Sequence, residues 1–176
     1  MAGGAVQHEI LPGDRQRHRY FRQAEIGLTS KSDCGKTTMT KHYSGGCACG
    51  AIRYETSSEP MFENHCQCHE CQKRSGTGHS SYLTFPRRAD VIITGEASTW
   101  RVAGDSGNEK IHAFCPTCGT PVYLTQVAMP ELIAVHATSL DDPGQFNPQV
   151  VTYAIRGHAW DMIDPSLQTF ERMPQG

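Results

Sequence analysis

From residue 40 onward, apolar and polar side chains exchange over runs of about five residues, the pattern of short, half-buried strands. Residues 51–55 mix the two after a turn at Gly50, 81–85 alternate, and 91–93 form a β-branched run that Gly95 ends. Further strands are expected at 98–102, 110–114, 120–124, 132–136 and 150–155, with a turn at 104–108. Only 69–75 invites a helical turn, stopped by Gly76 and Gly78. The pattern predicts an all-β domain of short antiparallel strands with short helical turns.

Upstream the periodicity fades. Residues 1–39 open with Met1-Ala2-Gly3-Gly4, pass through the basic stretch from Arg15 to Arg22 and end in polar residues such as Ser30, Lys31, Ser32 and Asp33. They read as a disordered or flexible arm before a folded domain at 40–174. Acidic residues Glu9, Asp14 and Glu25 argue against a transit peptide, and Met39 offers a second start for translation.

Composition narrows the function. The chain of 176 residues is long enough to bury a core, and its 17 glycines and 10 prolines suit turns better than long helices. A net charge of −2 speaks against a dedicated nucleic-acid or membrane surface. There is no apolar run near the roughly 18 residues of a membrane span and no leader core, so a cytoplasmic protein is expected. In that setting the eight cysteines read as reduced thiols and metal ligands rather than disulfides. Cys34, in the arm, stands apart as a free thiol.

The other seven fall in three clusters: Cys47 and Cys49; Cys66, Cys68 and Cys71; Cys115 and Cys118. Tetrahedral zinc takes four soft ligands. Cys115-Pro116-Thr117-Cys118-Gly119 can turn two thiolates onto one metal, Gly119 supplying the positive φ that closes the turn. Cys47-Ala48-Cys49 needs a sharper turn, which Gly45, Gly46 and Gly50 permit. Spacing does not say which clusters share a metal; pairing the two twos is the simplest partition. It leaves Cys66, Cys68 and Cys71 with a fourth place that a water or substrate thiolate takes in an open site, or that His65 or His69 takes in a closed one. The isolated His42, His79, His112, His136 and His158 read as surface or satisfied core residues.

The order of these motifs, from Tyr43-Ser44-Gly45-Gly46-Cys47-Ala48-Cys49-Gly50 through Asn64-His65-Cys66-Gln67-Cys68-His69-Glu70-Cys71 to Phe114-Cys115-Pro116-Thr117-Cys118-Gly119, resembles the glutathione-dependent formaldehyde-activating enzyme family, which includes the centromere protein V domain. Ser139-Leu140-Asp141-Asp142-Pro143 and Trp160 match as well. The resemblance implies a two-sheet β-tent and two Zn²⁺ per chain. One zinc is structural, on Cys47, Cys49, Cys115 and Cys118. The other is of the catalytic type, on Cys66, Cys68 and Cys71, with an exchangeable fourth ligand. It also implies a carbon–sulfur lyase handling the adduct of formaldehyde with a small thiol such as glutathione. Two positions depart from the pattern: Gln67 replaces a histidine, and His112 stands where an arginine often precedes Phe-Cys.

On that reading Lys73, Arg74 or Arg53 would hold the carboxylates of the thiol peptide, or stand as solvated surface charges, and Trp100 or Trp160 would line a pocket or pack in the core. Two readings from other classes stand beside the enzyme: a zinc-stabilised binding module with both sites structural, and a redox or metal-storage role for the thiols.

Overall fold

The computed structural model describes residues 41–104 and 107–174; the expected arm at 1–39, Cys34 and Met39 lie outside the described residues. The described residues form eleven strands, in chain order β1 (Tyr43–Gly46), β2 (Arg53–Thr56), β3 (Phe62–Cys66), β4 (Ser80–Phe85), β5 (Ile92–Thr94), β6 (Ser98–Ala103), β7 (Glu109–Phe114), β8 (Pro121–Gln126), β9 (Ile133–His136), β10 (Val150–Thr152) and β11 (Gln168–Thr169). One α-helix, α1 (His69–Ser75), lies between β3 and β4, and Gly76 ends it in the left-handed region at φ 71°. The remaining helical turns are single 3₁₀ turns, such as Ala137–Ser139 and Ala154–Arg156.

The strands form two sheets. The small one has the order β1-β2-β5, the large one β11-β10-β3-β4-β9-β8-β7-β6. All pairings are antiparallel except those of β10, which runs parallel to both β3 and β11. The antiparallel expectation therefore fails at this one strand. The physical reason is its connection: β10 returns after a stretch of a dozen residues instead of a tight hairpin, and a long connection does not impose an antiparallel direction.

Strand alternation gives the large sheet two working faces. Leu83 and Phe85 of β4 and Ile133 and Val135 of β9 point one way, into the main core with Tyr43, Ile52 and Tyr54 of the small-sheet region. The rings of Tyr43 and Phe85 meet edge to face at 5.6 Å. Each such fully buried side chain contributes about 2 kcal/mol from desolvation. Tyr54 is anchored by its hydroxyl, 2.9 Å from Ser139 Oγ. The opposite face carries Tyr82, Leu124 and Ala134, which pack with Cys66, Cys68, Cys71 and Tyr153 in a second, smaller cluster. The cysteine trio and the main core thus share strands but not a face.

Candidate metal centres and the adjoining cavity

The Sγ atoms of Cys47, Cys49, Cys115 and Cys118 all lie within 4.8 Å of one another. Two turns of the same design bring them there. In one, the Gly50 N–H donates to Cys47 O and the Cys47 N–H to Ile52 O, both at 3.0 Å. In the other, the Gly119 N–H donates to Cys115 O at 2.9 Å and the Cys115 N–H to Thr120 O at 3.0 Å. Gly50 at φ 80° and Gly119 at φ 75° close them, a conformation that costs an L-residue about 1–2 kcal/mol. The Ala48 N–H donates to Thr120 Oγ1 at 3.2 Å and links the two turns. Two of the sulfur pairs, Cys47–Cys49 at 3.5 Å and Cys49–Cys115 at 3.6 Å, lie near the ~3.8 Å expected around a tetrahedral ion with Zn–S of about 2.3 Å.

The polar surroundings of this set favour thiolates. Although burial opposes it, the Ile52 N–H at 3.2 Å from Sγ brings the Cys47 thiol below its ordinary range. Thr120, through its side chain and its backbone, holds Cys118 down to about 5. Against the pull of a backbone hydrogen bond from Ala51, the neighbouring sulfurs push Cys49 up to about 12. Four thiols cannot all ionise side by side without a cation between them, so the donor set fits a divalent, sulfur-seeking ion.

Cys66, Cys68 and Cys71 form the second group, again within 4.8 Å, and all three are buried. Cys66 ends β3, Cys68 is the residue before α1, and Cys71 is one turn into the helix. Contacts from Cys66 and then Cys71 hold the Cys68 thiol down to about 2, while Cys66 and then Cys68 push Cys71 well up. One thiolate is thus solvated by two S–H groups, and further ionisation requires a cation; this donor set also fits a metal. Tyr82 places its hydroxyl 3.5 Å from Cys71 Sγ, and burial keeps that phenol protonated.

No histidine, aspartate or glutamate joins this trio among the described residues. His65 points to the other face of β3, hydrogen-bonded through Nδ1 to Ser81 Oγ at 2.8 Å and edge-on to the rings of His79 and Phe146. His69 is exposed. The loop is instead clamped by the carboxy-terminal segment. The Gln67 N–H donates to Thr152 O at 2.9 Å, and Gln67 Nε2 donates to Asp161 at 3.1 Å. Asp161 also binds His79 at 2.8 Å, and Gln72 Nε2 donates to Gln67 O and Arg156 O. The departure at Gln67 thereby acquires a use, as one arm of this clamp. Tyr153, next to Thr152, adopts the left-handed region at φ 58°, a costly conformation for a residue with a Cβ.

The trio opens onto a cavity of about 510 Å³ over the second face of the large sheet. Its lining is mostly apolar, including Phe62, Val102, Leu124 and Leu132; Lys110, His112, Glu70 and Arg156 supply the charged and imidazole groups. The cations expected at the mouth are elsewhere. Arg53 makes a two-pronged pair with Asp141 on the small sheet, Lys73 is exposed, and Arg74 lies over the ring of Trp100 at 5.9 Å. Sequence reasoning missed Lys110 and Arg156. The signal for Lys110 was its place two residues before His112 on one strand, hence on the same face. The tryptophans neither fill the core nor line the cavity: Trp100 stacks on His112 at the sheet edge, and Trp160 stacks on His158 in solvent.

His112 and His136 are core residues, but not satisfied ones: among the described residues both ring nitrogens of His112 and Nε2 of His136 lack a hydrogen-bond partner. Burial first, then the positive charge of Arg74, brings each imidazole down to about 3. For His136 the sign is definite. The unfolded chain takes a proton near pH 6.5 and the native one only near pH 3, so native stability is complete above 6.5 and declines as pH falls through that window. The stability advantage of the wild type over His136→Gln is expected to shrink by about 2 kcal/mol between pH 7 and pH 5 in urea titrations. The difference cancels proton effects common to both chains, and an advantage that stays level would refute the assignment.

Fold and cysteine geometry together define a two-sheet β domain with two thiol sets, each able to hold a metal ion, one of them facing a cavity. The chain belongs to the family of glutathione-dependent formaldehyde-activating enzymes, whose model matches residues 42–156. It is 26% identical over 102 residues to a protein of Halomonas elongata provisionally named as such an enzyme; the match spans 55% of this chain and 64%, less than two thirds, of that relative. A crystal structure of a Rhodobacter sphaeroides protein aligns over 60% of this chain and 91% of that one, at 23% identity and a TM-score of 0.45. No helix among the described residues is long and apolar enough to cross a membrane.

Proposed function

We propose that the protein is a zinc enzyme of the carbon–sulfur lyase type, which joins a thiol to an aldehyde and takes the adduct apart. Cys47, Cys49, Cys115 and Cys118 would hold a structural Zn²⁺. Cys66, Cys68 and Cys71 would hold a second, leaving one coordination place for a substrate sulfur. Bound there, zinc supplies the positive charge that keeps a substrate thiol ionised. The observation that carries this reading is the contrast between the two sets: the four-sulfur set is built into two linked turns, whereas the trio faces a cavity large enough for a small molecule. The family's description supplies glutathione and formaldehyde as the reference pair. Reduced thiols in both sets suit a cytoplasmic setting.

The chain's own residues account for much of the chemistry. With Cys71 ionised as a metal ligand, Tyr82, whose hydroxyl lies 3.5 Å from its sulfur, would donate its hydrogen there and temper the charge of the trio. The apolar wall excludes water, so that thiolate and aldehyde meet without hydrolytic competition. The thiolate sulfur attacks the aldehyde carbon, the C=O π pair moves onto oxygen, and the proton lost by the thiol ends on that oxygen. Holding the partners together supplies much of the rate gain. The full-length protein is expected to contain two zinc ions per chain and to accelerate exchange between ¹³C-formaldehyde, glutathione and their adduct in NMR exchange spectra. Two bound zinc ions with no acceleration for glutathione or any other small thiol would leave a binding module and end the enzymatic reading.

A further inference from the structure

Among the described residues His112 is the one imidazole lining the cavity; it is only 2% exposed, and neither ring nitrogen finds a hydrogen-bond partner among them. A buried polar group left unpaired costs about 1–3 kcal/mol, so two such atoms on one ring mark a place where something else supplies the partner. The neighbours state the sign of that partner. Arg74, with Nε and Nη2 also buried and unpartnered, lies over Trp100 at 5.9 Å, and Trp100 in turn stacks on His112 at 5.9 Å. Lys110 sits two residues away on the same strand face and lines the same cavity. At the His112 ring the fields of Arg74 and Lys110 outweigh the opposing one of Cys68. A neutral imidazole can donate one N–H, and the charges of Arg74, over the Trp100 ring, and Lys110, on the cavity wall, both act on it in a mostly apolar setting, where charge-assisted bonds are strongest.

We infer that His112, supported by Arg74 and Lys110, forms a subsite for the carboxylate of a ligand whose apolar body lies along the cavity wall and whose sulfur reaches the cysteine trio. This rests on the proposed thiol chemistry for the sulfur end and adds the recognition of the other end. The ligand class is a thiol acid, or its aldehyde adduct, with an apolar stretch between its two functional ends. Phe62, Val102, Leu124, Leu132 and Ala134 are the wall against which that stretch is desolvated. Glutathione carries carboxylates but a polar peptide body, which such a wall would not reward.

The test uses the full-length chain loaded with Co²⁺, whose thiolate charge-transfer absorption reports the arrival of a substrate sulfur. 6-Mercaptohexanoate and 6-mercaptohexanol are titrated side by side. The carboxylate is expected to bind about ten- to a hundredfold tighter than the alcohol. His112→Leu should erase that advantage, His112→Gln should retain part of it, and Arg74→Met should reduce it. Glutathione should bind more weakly than 6-mercaptohexanoate. Equal affinities for acid and alcohol overturn the subsite, as does an advantage that survives His112→Leu. If His112→Leu does not fold, the wild-type comparison decides alone. If no thiol alters the absorption, the thiol chemistry itself has failed; calorimetry with hexanoate and hexanol then judges the subsite separately, a preference for hexanoate supporting it and no preference overturning it.

Discussion

A Cys118→Ser chain is expected to lose its native fold. Cys118 is exposed, so its side chain contributes little to packing, and serine fills the same space in the turn. What the substitution removes is one of the four sulfurs that, on the proposed reading, join through a metal two turns about 70 residues apart in the chain. Structural zinc sites of this kind are worth about 10–16 kcal/mol in small peptides, as much as the total stability of a typical domain, about 5–15 kcal/mol. Even a fraction of that would exceed what the main core can spare. Cys47 and Cys115 belong to that core, so the loss spreads directly to Ile52, Val122 and Tyr54 around them. Amide NMR dispersion and zinc content of the purified variant check this; a dispersed spectrum with both metals retained would mean that the set is not structural.

Cys68→Ser should behave in the opposite way: one metal lost, the fold kept and adduct chemistry reduced to the uncatalysed rate. The trio lies on the far face of the large sheet from the main core. Its loop is also held by bonds that need no metal, through Gln67, Gln72 and Asp161. The stability cost is therefore expected to be about 1–3 kcal/mol, the range of an ordinary buried substitution. Zinc analysis, thermal unfolding and adduct exchange on one preparation separate the two sets. If Cys68→Ser unfolds as Cys118→Ser does, the division into a structural and a reactive set is wrong.

The sequence made most strands visible because their alternation was sharp. Residues 81–85 and 98–102 fall within β4 and β6, and 69–75 coincides with α1, where Gly76 gives the stop signal a backbone cause. β1 was not anticipated, since Tyr-Ser-Gly-Gly has poor strand propensity; it forms through pairing with β2 and the bridge from Gly45 to Leu140. The run at 150–155 was read too long because nothing local announces the left-handed turn at Tyr153. The three cysteine clusters were legible in their spacing, but which of them come together was not; the simplest partition, two pairs in one set and the trio apart, is the one the sulfur positions give. His112 was not legible: a lone histidine on a strand has no signature, and its significance comes from Trp100, Arg74 and the cavity, all brought to it by tertiary contacts.

The parallel insertion of β10 has a consequence for the order in which the molecule can be assembled. The partners of the four-sulfur set are complete once Thr120 has been synthesised. The loop carrying Cys66, Cys68 and Cys71 must wait for Thr152 and Asp161, translated some 80 residues or more after it. The four sulfurs can therefore be brought together before the segment that clamps the loop of the trio exists. Until β10 slides in beside β3, the three thiols of the growing polypeptide stand without their clamp.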